Sequence, residues 1–280
     1  MHVDFVAFAA RKTREAVAGL IDPLVTIDDR TGGRSLRAIG NDWSRRHYDG
    51  DFHLVGSPAS LPALSLVFVQ SRDGNTGADN PAHLGGGDTD KCLLYEGLSR
   101  VAADAVMAGA SSVGRNVFFT IEQPELVALR QELGLPRHPT QMVISNAGHL
   151  DLSARLFSVP DVQVIVLAGI ECERKIAPQI HDRPWITIVP IGDSLEDAFV
   201  RLRRDHHIGR ISAVGGRVTA TSLVDAGLVQ DIYLTTSGID AGEENTPWYV
   251  GDRPPRLETI VKKREVTVRS PLLFEHLALK

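Results

Sequence analysis

The chain has 280 residues, 43% of them hydrophobic and 23% charged, with 30 Lys+Arg against 35 Asp+Glu for a formal charge of −5. A chain this long buries roughly 75% of the surface its unfolded form exposes and needs no covalent staples. Its slightly acidic balance excludes a nucleic-acid or membrane-surface binder that works through bulk positive charge.

Cys92 and Cys172 form no CxxC pair, which argues against a disulfide framework or a Cys-based zinc site and leaves two reduced thiols. Charged residues (Asp4, Arg11, Lys12, Arg14, Glu15) interrupt the apolar N-terminal stretch, so it does not read as a signal peptide. Apolar runs long enough to span a bilayer are missing from the sequence. The expectation is a cytoplasmic chain.

Residues 3–18 (VDFVAFAARKTREAVA) read as a helix with one apolar face. Residues 28–62 turn polar, with Gly32-Gly33, Gly40, Gly50, Pro58 and Pro62, and read as an irregular lead-in. The expected organisation is an N-terminal extension over 1–61 ahead of one domain over 62–280. From residue 64 short apolar runs alternate with helical patterns. The predicted strands are 64–70 (LSLVFVQ), 104–109 (DAVMAG), 141–145 (QMVIS), 162–168 (VQVIVLA), 185–190 (WITIVP), 210–214 (RISAV) and 231–236 (DIYLTT). Most are continuous Val/Ile-rich runs, the pattern of strands covered on both faces. The stretch 258–270 (ETIVKKREVTVRS) alternates more and suits an outer strand or hairpin. Between the strands, helices are predicted at Lys91–Ala103, Gln123–Leu133, Ser194–His207 and Arg217–Ala226, the third capped by Ser194 and the fourth ended by Gly227. This alternation predicts an α/β sheet that is parallel over most of its width, with ligands beyond the C-terminal strand ends.

Three strand ends carry chemistry. The strand 210–214 runs into Gly215-Gly216 and straight into a helix, so a ligand can approach the backbone and a phosphate can meet free helix N–H groups; the same glycines also suit a plain tight turn. The strand 104–109 ends at Gly109, followed by Ala110, Ser111 and Ser112, which can line the same crevice. The strand 64–70 leads to Ser71, Asp73 and Gly74, where a carboxylate can hold a polar substrate or relay a proton, or simply shape an Asp-Gly turn. GxxxxGK[ST], GxGxxG, HExxH, the paired deaminase elements and GxSxG are all absent from the sequence. His206-His207, beside Arg203, Arg204 and Asp205, read as solvated surface rather than metal ligands.

Taken in order, Ser71-Arg72-Asp73-Gly74, LSRVAADAVMAGASSV (98–113), AVGGRVTATSLVDAGLVQDIYL (213–234) and LTTSGIDAGEENTPWY (234–249) resemble the reductase domain of the bifunctional riboflavin-biosynthesis deaminase/reductase, in the dihydrofolate-reductase-like superfamily. The resemblance spans about 62–270. It implies a mainly parallel central sheet with helices on both faces and an antiparallel strand near the C-terminus. It also implies NADPH as cofactor, with Gly215, Gly216 and Arg217 at the pyrophosphate, Gly109, Ala110, Ser111 and Ser112 along the dinucleotide, and Ser145 on the adenosine side. Arg115 or Asn146 would meet the 2′-phosphate. The implied reaction is hydride transfer to C1′ of a phosphoribosylamino-pyrimidine, with Asp73 catalytic and Ser71, Asp73 and Gly74 at the substrate.

The chain departs from the family pattern at four points. Val214 stands in place of Glu, Ser112 in place of Thr, Gln230-Asp231 in place of Asp-Glu, and Ser237-Gly238 where Pro is common. The alternatives are a nucleotide-binding homologue without reductase activity, a dihydrofolate-type or orphan reductase, and an unrelated α/β enzyme with a phosphate-bearing substrate. The expected partners are a small-molecule substrate and a second copy in a homodimer, with no nucleic acid, membrane or metal.

Overall fold

The computed structural model describes residues 3–266 and 270–280. The elements run α1 (Val3–Ala18), β1 (Leu24–Asp29), β2 (Leu36–Ile39), α2 (Asp42–Tyr48), β3 (Phe52–Val55) and β4 (Ala63–Gln70). A π-helix, Thr89–Leu98, continues into the single turn α3 (Ser99–Val101). There follow β5 (Ala105–Gly109), α4 (Pro124–Glu132), β6 (Thr140–Ser145), β7 (Val164–Ala168), α5 (Ile170–Ile176), β8 (Ile186–Pro190) and α6 (Leu195–Asp205). The chain closes with β9 (Arg210–Val214), α7 (Arg217–Asp225), β10 (Asp231–Thr236), β11 (Leu257–Glu265) and β12 (Leu273–Leu279).

A 10-stranded sheet carries the fold in the order β1-β11-β12-β10-β4-β9-β5-β6-β7-β8. From β10 to β8 every neighbour pair is parallel, whereas β12, β11 and β1 are added antiparallel. Alternate residues of one strand feed two separate cores. Leu64 and Leu66 join the layer under α6 and α7, and Val67 joins the layer under the π-helix, α4 and α5. That double burial is why these strands lack polar alternation. The α/β class and mainly parallel sheet follow the sequence reading, as do α1 and the two helices that flank β9. Ser194 caps α6 by accepting from the Asp197 N–H.

Three expectations are corrected. Residues 28–62 are not an irregular lead-in: they complete β1 and hold β2, α2 and β3. In that stretch, Asn41 and Ser44 cap α2 reciprocally, side chain to backbone in both directions, and Phe52 and Leu54 of β3 sink into the core. The helix expected over 91–103 is π-helical through Leu98. Its wide turn is compatible with Gly97 because a Cβ there would sit 2.5 Å from the Cys92 carbonyl oxygen. Finally, of the two alternatives for 258–270 the outer strand fails and the hairpin holds: β11 pairs antiparallel with the next strand, β12, and lies between β12 and β1, while residues 267–269 fall outside the described residues.

Helix α1 is tied down by Phe5 and Phe8 against Phe118. Polar bonds reinforce it, from Lys12 to Glu96 at 2.8 Å and from Thr13 to Glu122 at 2.8 Å. Among the described residues no helix is long and apolar enough to cross a membrane.

Candidate active site

The C-terminal ends of β10, β4, β9, β5, β6, β7 and β8 share one rim because these strands are parallel. The two glycine corners are neighbours on it. Met107 of β5 pairs with Ala213 of β9, so Gly109 and Gly215-Gly216 leave adjacent strands at the same level. Gly215 (φ 76°) and Gly216 (φ 88°) both take left-handed backbone, which favours glycine. The corners also touch. A Cβ on Gly109 would lie 2.4 Å from Thr219 Oγ1, and one on Gly216 would lie 3.2 Å from Ser112 Oγ. Among the described residues no side chain caps α7, so the N–H groups of its first turn, at the positive end of the helix dipole, remain available to a ligand.

Beyond these corners runs a cleft of about 480 Å³ between α7, α6 and the ends of β5 and β6. Of the residues expected at a cofactor, Ala110, Ser111, Ser145 and Asn146 line it. Gly109, Ser112, Gly215 and Gly216 build the adjoining corner. Arg217 opens α7, half-buried, and is not part of the lining. Arg115 lies elsewhere. It borders a cavity of about 540 Å³ against α1, together with Arg155, whose guanidinium stacks 4.3 Å from the Phe8 ring.

The Ser71–Asn75 turn leaves β4 next to the Gly215 corner, since Val67 pairs with Val214. Ser71 is buried and its N–H donates to the Asn75 carbonyl at 2.9 Å. The Ser71 hydroxyl donates to the Asp73 carboxylate, and Asn75 Nδ2 donates to its other oxygen at 2.8 Å. These bonds, the Ser71 one first, hold the exposed Asp73 carboxyl below the usual carboxylate range. Asp73 is therefore an acceptor at neutral pH and not a proton donor. Gly74 turns the loop at φ 86°.

The sequence reading missed Asp90. This residue, in the first turn of the π-helix, is 7% exposed, and burial pushes its carboxyl up to about 7 against the pull of the Thr235 hydroxyl bonded to it. It borders a cavity of about 210 Å³ with Asn80, Gly86, Gly87, Lys91 and Tyr95. Gly86 makes room, because a Cβ there would meet the Asp90 Cβ at 2.7 Å. Thr235 pairs with Val69 near the ends of β10 and β4, so this cavity opens at the same rim. Its signal in the sequence was the run Gly85-Gly86-Gly87 ahead of a helical acid.

Fold and site thus define an α/β domain with a cleft along the C-terminal rim of a parallel sheet. The model of the RibD C-terminal domain matches residues 62–270, and the chain belongs to that family. In structure it is similar to a pyrimidine reductase-like protein from Corynebacterium diphtheriae, with TM-score 0.54 and 19% identity over 78% of this chain and 92% of that one. It is also similar to the riboflavin biosynthesis reductase of Saccharomyces cerevisiae, with TM-score 0.56 and 15% identity over 80% and 92%. A third likeness is to RibD of Acinetobacter baumannii, with TM-score 0.59 and 14% identity over 79% of this chain and 59% of that one. At these identities the likeness shows the fold. A search of the curated proteins finds no match.

Proposed function

We propose that this chain is an NADPH-dependent reductase of a phosphoribosylamino-pyrimidine, with 62–280 as the reductase domain and 1–61 as an extension built onto its sheet. The observation that carries the reading is the contact of two glycine corners at the head of a cleft of about 480 Å³. The residues present fit a dinucleotide. Gly215 and Gly216 leave space at uncapped N–H groups of α7 for a pyrophosphate. Ala110, Ser111 and Ser145 would line its length, and Asn146 would donate to the 2′-phosphate. Family membership and the reductase names of the similar structures support the same assignment.

Bound NADPH would supply the hydride for C1′ of the substrate's imine form. The protein's part is to hold two rings face to face and keep water out. Asp73, kept ionised by Ser71 and Asn75, accepts a hydrogen bond from a substrate hydroxyl or N–H and fixes its orientation. Thermal denaturation tests the reading. NADPH at 100 times its Kd adds about 2.7 kcal/mol, which for 280 residues raises Tm by about 5 °C, with a smaller rise for NADH. Absence of any NADPH-dependent rise would overturn it.

A second reading has one observation in its favour. Val214, where the family pattern has Glu, is buried among apolar side chains. A nucleotide-binding homologue without turnover would show the Tm rise and no NADPH oxidation at 340 nm.

A further inference from the structure

The two oxygens of the Asp73 carboxylate are held by different means. Ser71, in the same turn, donates to one, and Asn75 Nδ2 donates to the other at 2.8 Å. An Asp-Gly turn needs only the first bond. The second comes from a side chain that is 8% exposed and is itself anchored far along the chain. Asn75 Oδ1 accepts from the Thr246 N–H at 3.0 Å, a partner 171 residues further on.

That partner decides which way the carboxamide faces. Only its oxygen can accept from a backbone N–H, so its amino group must point the other way, at Asp73. Thr246 is set in turn by bonds to the same turn and to its own loop. Its carbonyl accepts from the Thr76 N–H at 2.7 Å and from the Thr76 hydroxyl at 2.8 Å. Its hydroxyl accepts from the Gly77 N–H at 2.9 Å and donates to the Glu243 carbonyl. The two segments meet where only glycine fits. A Cβ on Gly77 would lie 2.8 Å from Thr246 Cγ2, and one on Gly242 would lie 2.8 Å from the Gly77 carbonyl oxygen. The loop 237–249 after β10 is thus clasped against the Asp73 turn and reaches the carboxylate through the Asn75 amide.

Resting on the reductase reading, we infer that Asn75 is a positioning residue for the reaction: with its amide set by Thr246, it fixes the plane of the Asp73 carboxylate, so that the loop 237–249 governs how this carboxylate meets the substrate. A carboxylate has about four acceptor positions. Ser71 and Asn75 occupy one on each oxygen, and the positions left on the exposed Asp73 point where those two bonds direct them. Held by Ser71 alone, the carboxylate is free to turn about its Cβ–Cγ bond and no longer meets a substrate donor in line. Among charged groups, Arg72 acts on Asp73 through space, its guanidinium paired with Asp240 of the same loop. Both remain in the variants below.

The test follows the Asp73 carboxyl itself, by carbon-13 NMR of aspartate-labelled protein, its signal identified by its loss in Asp73→Asn. In Asn75→Ala the carboxylate loses a donor, and in the isosteric Asn75→Asp the donor becomes a second anion. Both should titrate at higher pH than the wild type, Asn75→Asp by more. Thr246→Val frees Gly77 and Glu243 from its hydroxyl and should give a smaller shift of the same sign, whereas Thr246→Ser should match the wild type. In NADPH oxidation, both Asn75 variants should lose on the order of tenfold in kcat. KM for NADPH should stay as in the wild type, and the acid limb of the pH profile should move upward.

An Asp73 titration unchanged in the Asn75 variants overturns the inference. So does a variant with lowered Tm but wild-type kcat and acid limb, the behaviour of a residue that only holds the turn together. If neither Asn75 protein folds, Thr246→Val decides by the same titration, and no shift there overturns the proposal. Because the titration needs no cofactor, a wild type that never oxidises NADPH sinks the reductase reading, while the hold of Asn75 on Asp73 is judged by itself.

Discussion

Gly109→Ala probes the contact on which the proposed cofactor cleft is built. Gly109 closes β5 with φ −68°, a conformation alanine adopts freely, so the backbone is not strained by the change. The new methyl would instead lie 2.4 Å from Thr219 Oγ1 and 3.5 Å from Thr219 Cβ. Helix α7 must then move away from β5 or Thr219 must leave its rotamer. Overpacking of this kind costs about 1–3 kcal/mol. With about 0.6 kcal/mol per kelvin of unfolding entropy for 280 residues, Tm should drop by roughly 2–5 °C. Because the movement displaces the helix start at Gly216, NADPH affinity should fall by about tenfold or more. Thr219→Ala alone should do little, and Gly109→Ala/Thr219→Ala should recover both properties, giving a coupling of about 1 kcal/mol or more by double-mutant cycle. The assays are thermal denaturation and NADPH fluorescence titration. A Gly109→Ala protein with unchanged Tm and affinity would refute the packing of the two corners.

Three further outcomes are expected. Asp73→Asn should bind NADPH normally and lose about 10²-fold or more in kcat/KM; unchanged turnover would remove Asp73 from the site. Since the Asp73 carboxyl sits below its usual range, the activity that depends on it should decline only in acid, as pH falls through that lowered pKa, and leave no limb near neutrality. Asp90 behaves oppositely. Its folded pKa of about 7 lies above the unfolded value near 3.8, so its contribution to stability is full below about pH 4 and is lost as pH rises through 7. That contribution is up to about 4 kcal/mol, and urea unfolding of Asp90→Asn should show the pH dependence flattened between 4 and 7. A variant as pH-dependent as the wild type would contradict this. Finally, Arg130, 1% exposed, donates to the Arg100, Val101, Ala103 and Pro136 carbonyls. Arg130→Met removes this donor from the Val101, Ala103 and Pro136 carbonyls, while the Arg100 carbonyl keeps the Ala103 N–H, and should lower stability by about 3 kcal/mol in urea unfolding.

The sequence made some parts of the molecule plain and concealed others for physical reasons. The strands from β4 to β10 were legible because burial on both faces leaves unbroken runs such as LSLVFVQ and VQVIVLA. The corner at Gly215 was legible because a strand, two glycines and a helix follow without an intervening loop. Strand β12 was hidden. Its sequence LFEHLAL carries His276, which is fully buried only because Nε2 meets Asp231 Oδ2 at 2.6 Å across to β10, a partner 45 residues away. Helix α5 was hidden by its charges, IECERKI, although Cys172 and Ile176 bury it. Of the two donors offered for the 2′-phosphate, Arg115 and Asn146, Arg115 is carried by the loop after Ser112 to the side of α1. Asp90 escaped notice because the glycine run before it is the only local sign, and its burial depends on Thr235, a partner far along the chain.

A crystal structure of the protein grown with NADPH is the most direct examination of the whole account. The pyrophosphate is expected at Gly215–Arg217, with the dinucleotide running past Ser111 and Ser145 between α7 and the end of β6. Density for the cofactor in another cavity, or a cleft that stays empty at saturating NADPH, would contradict it.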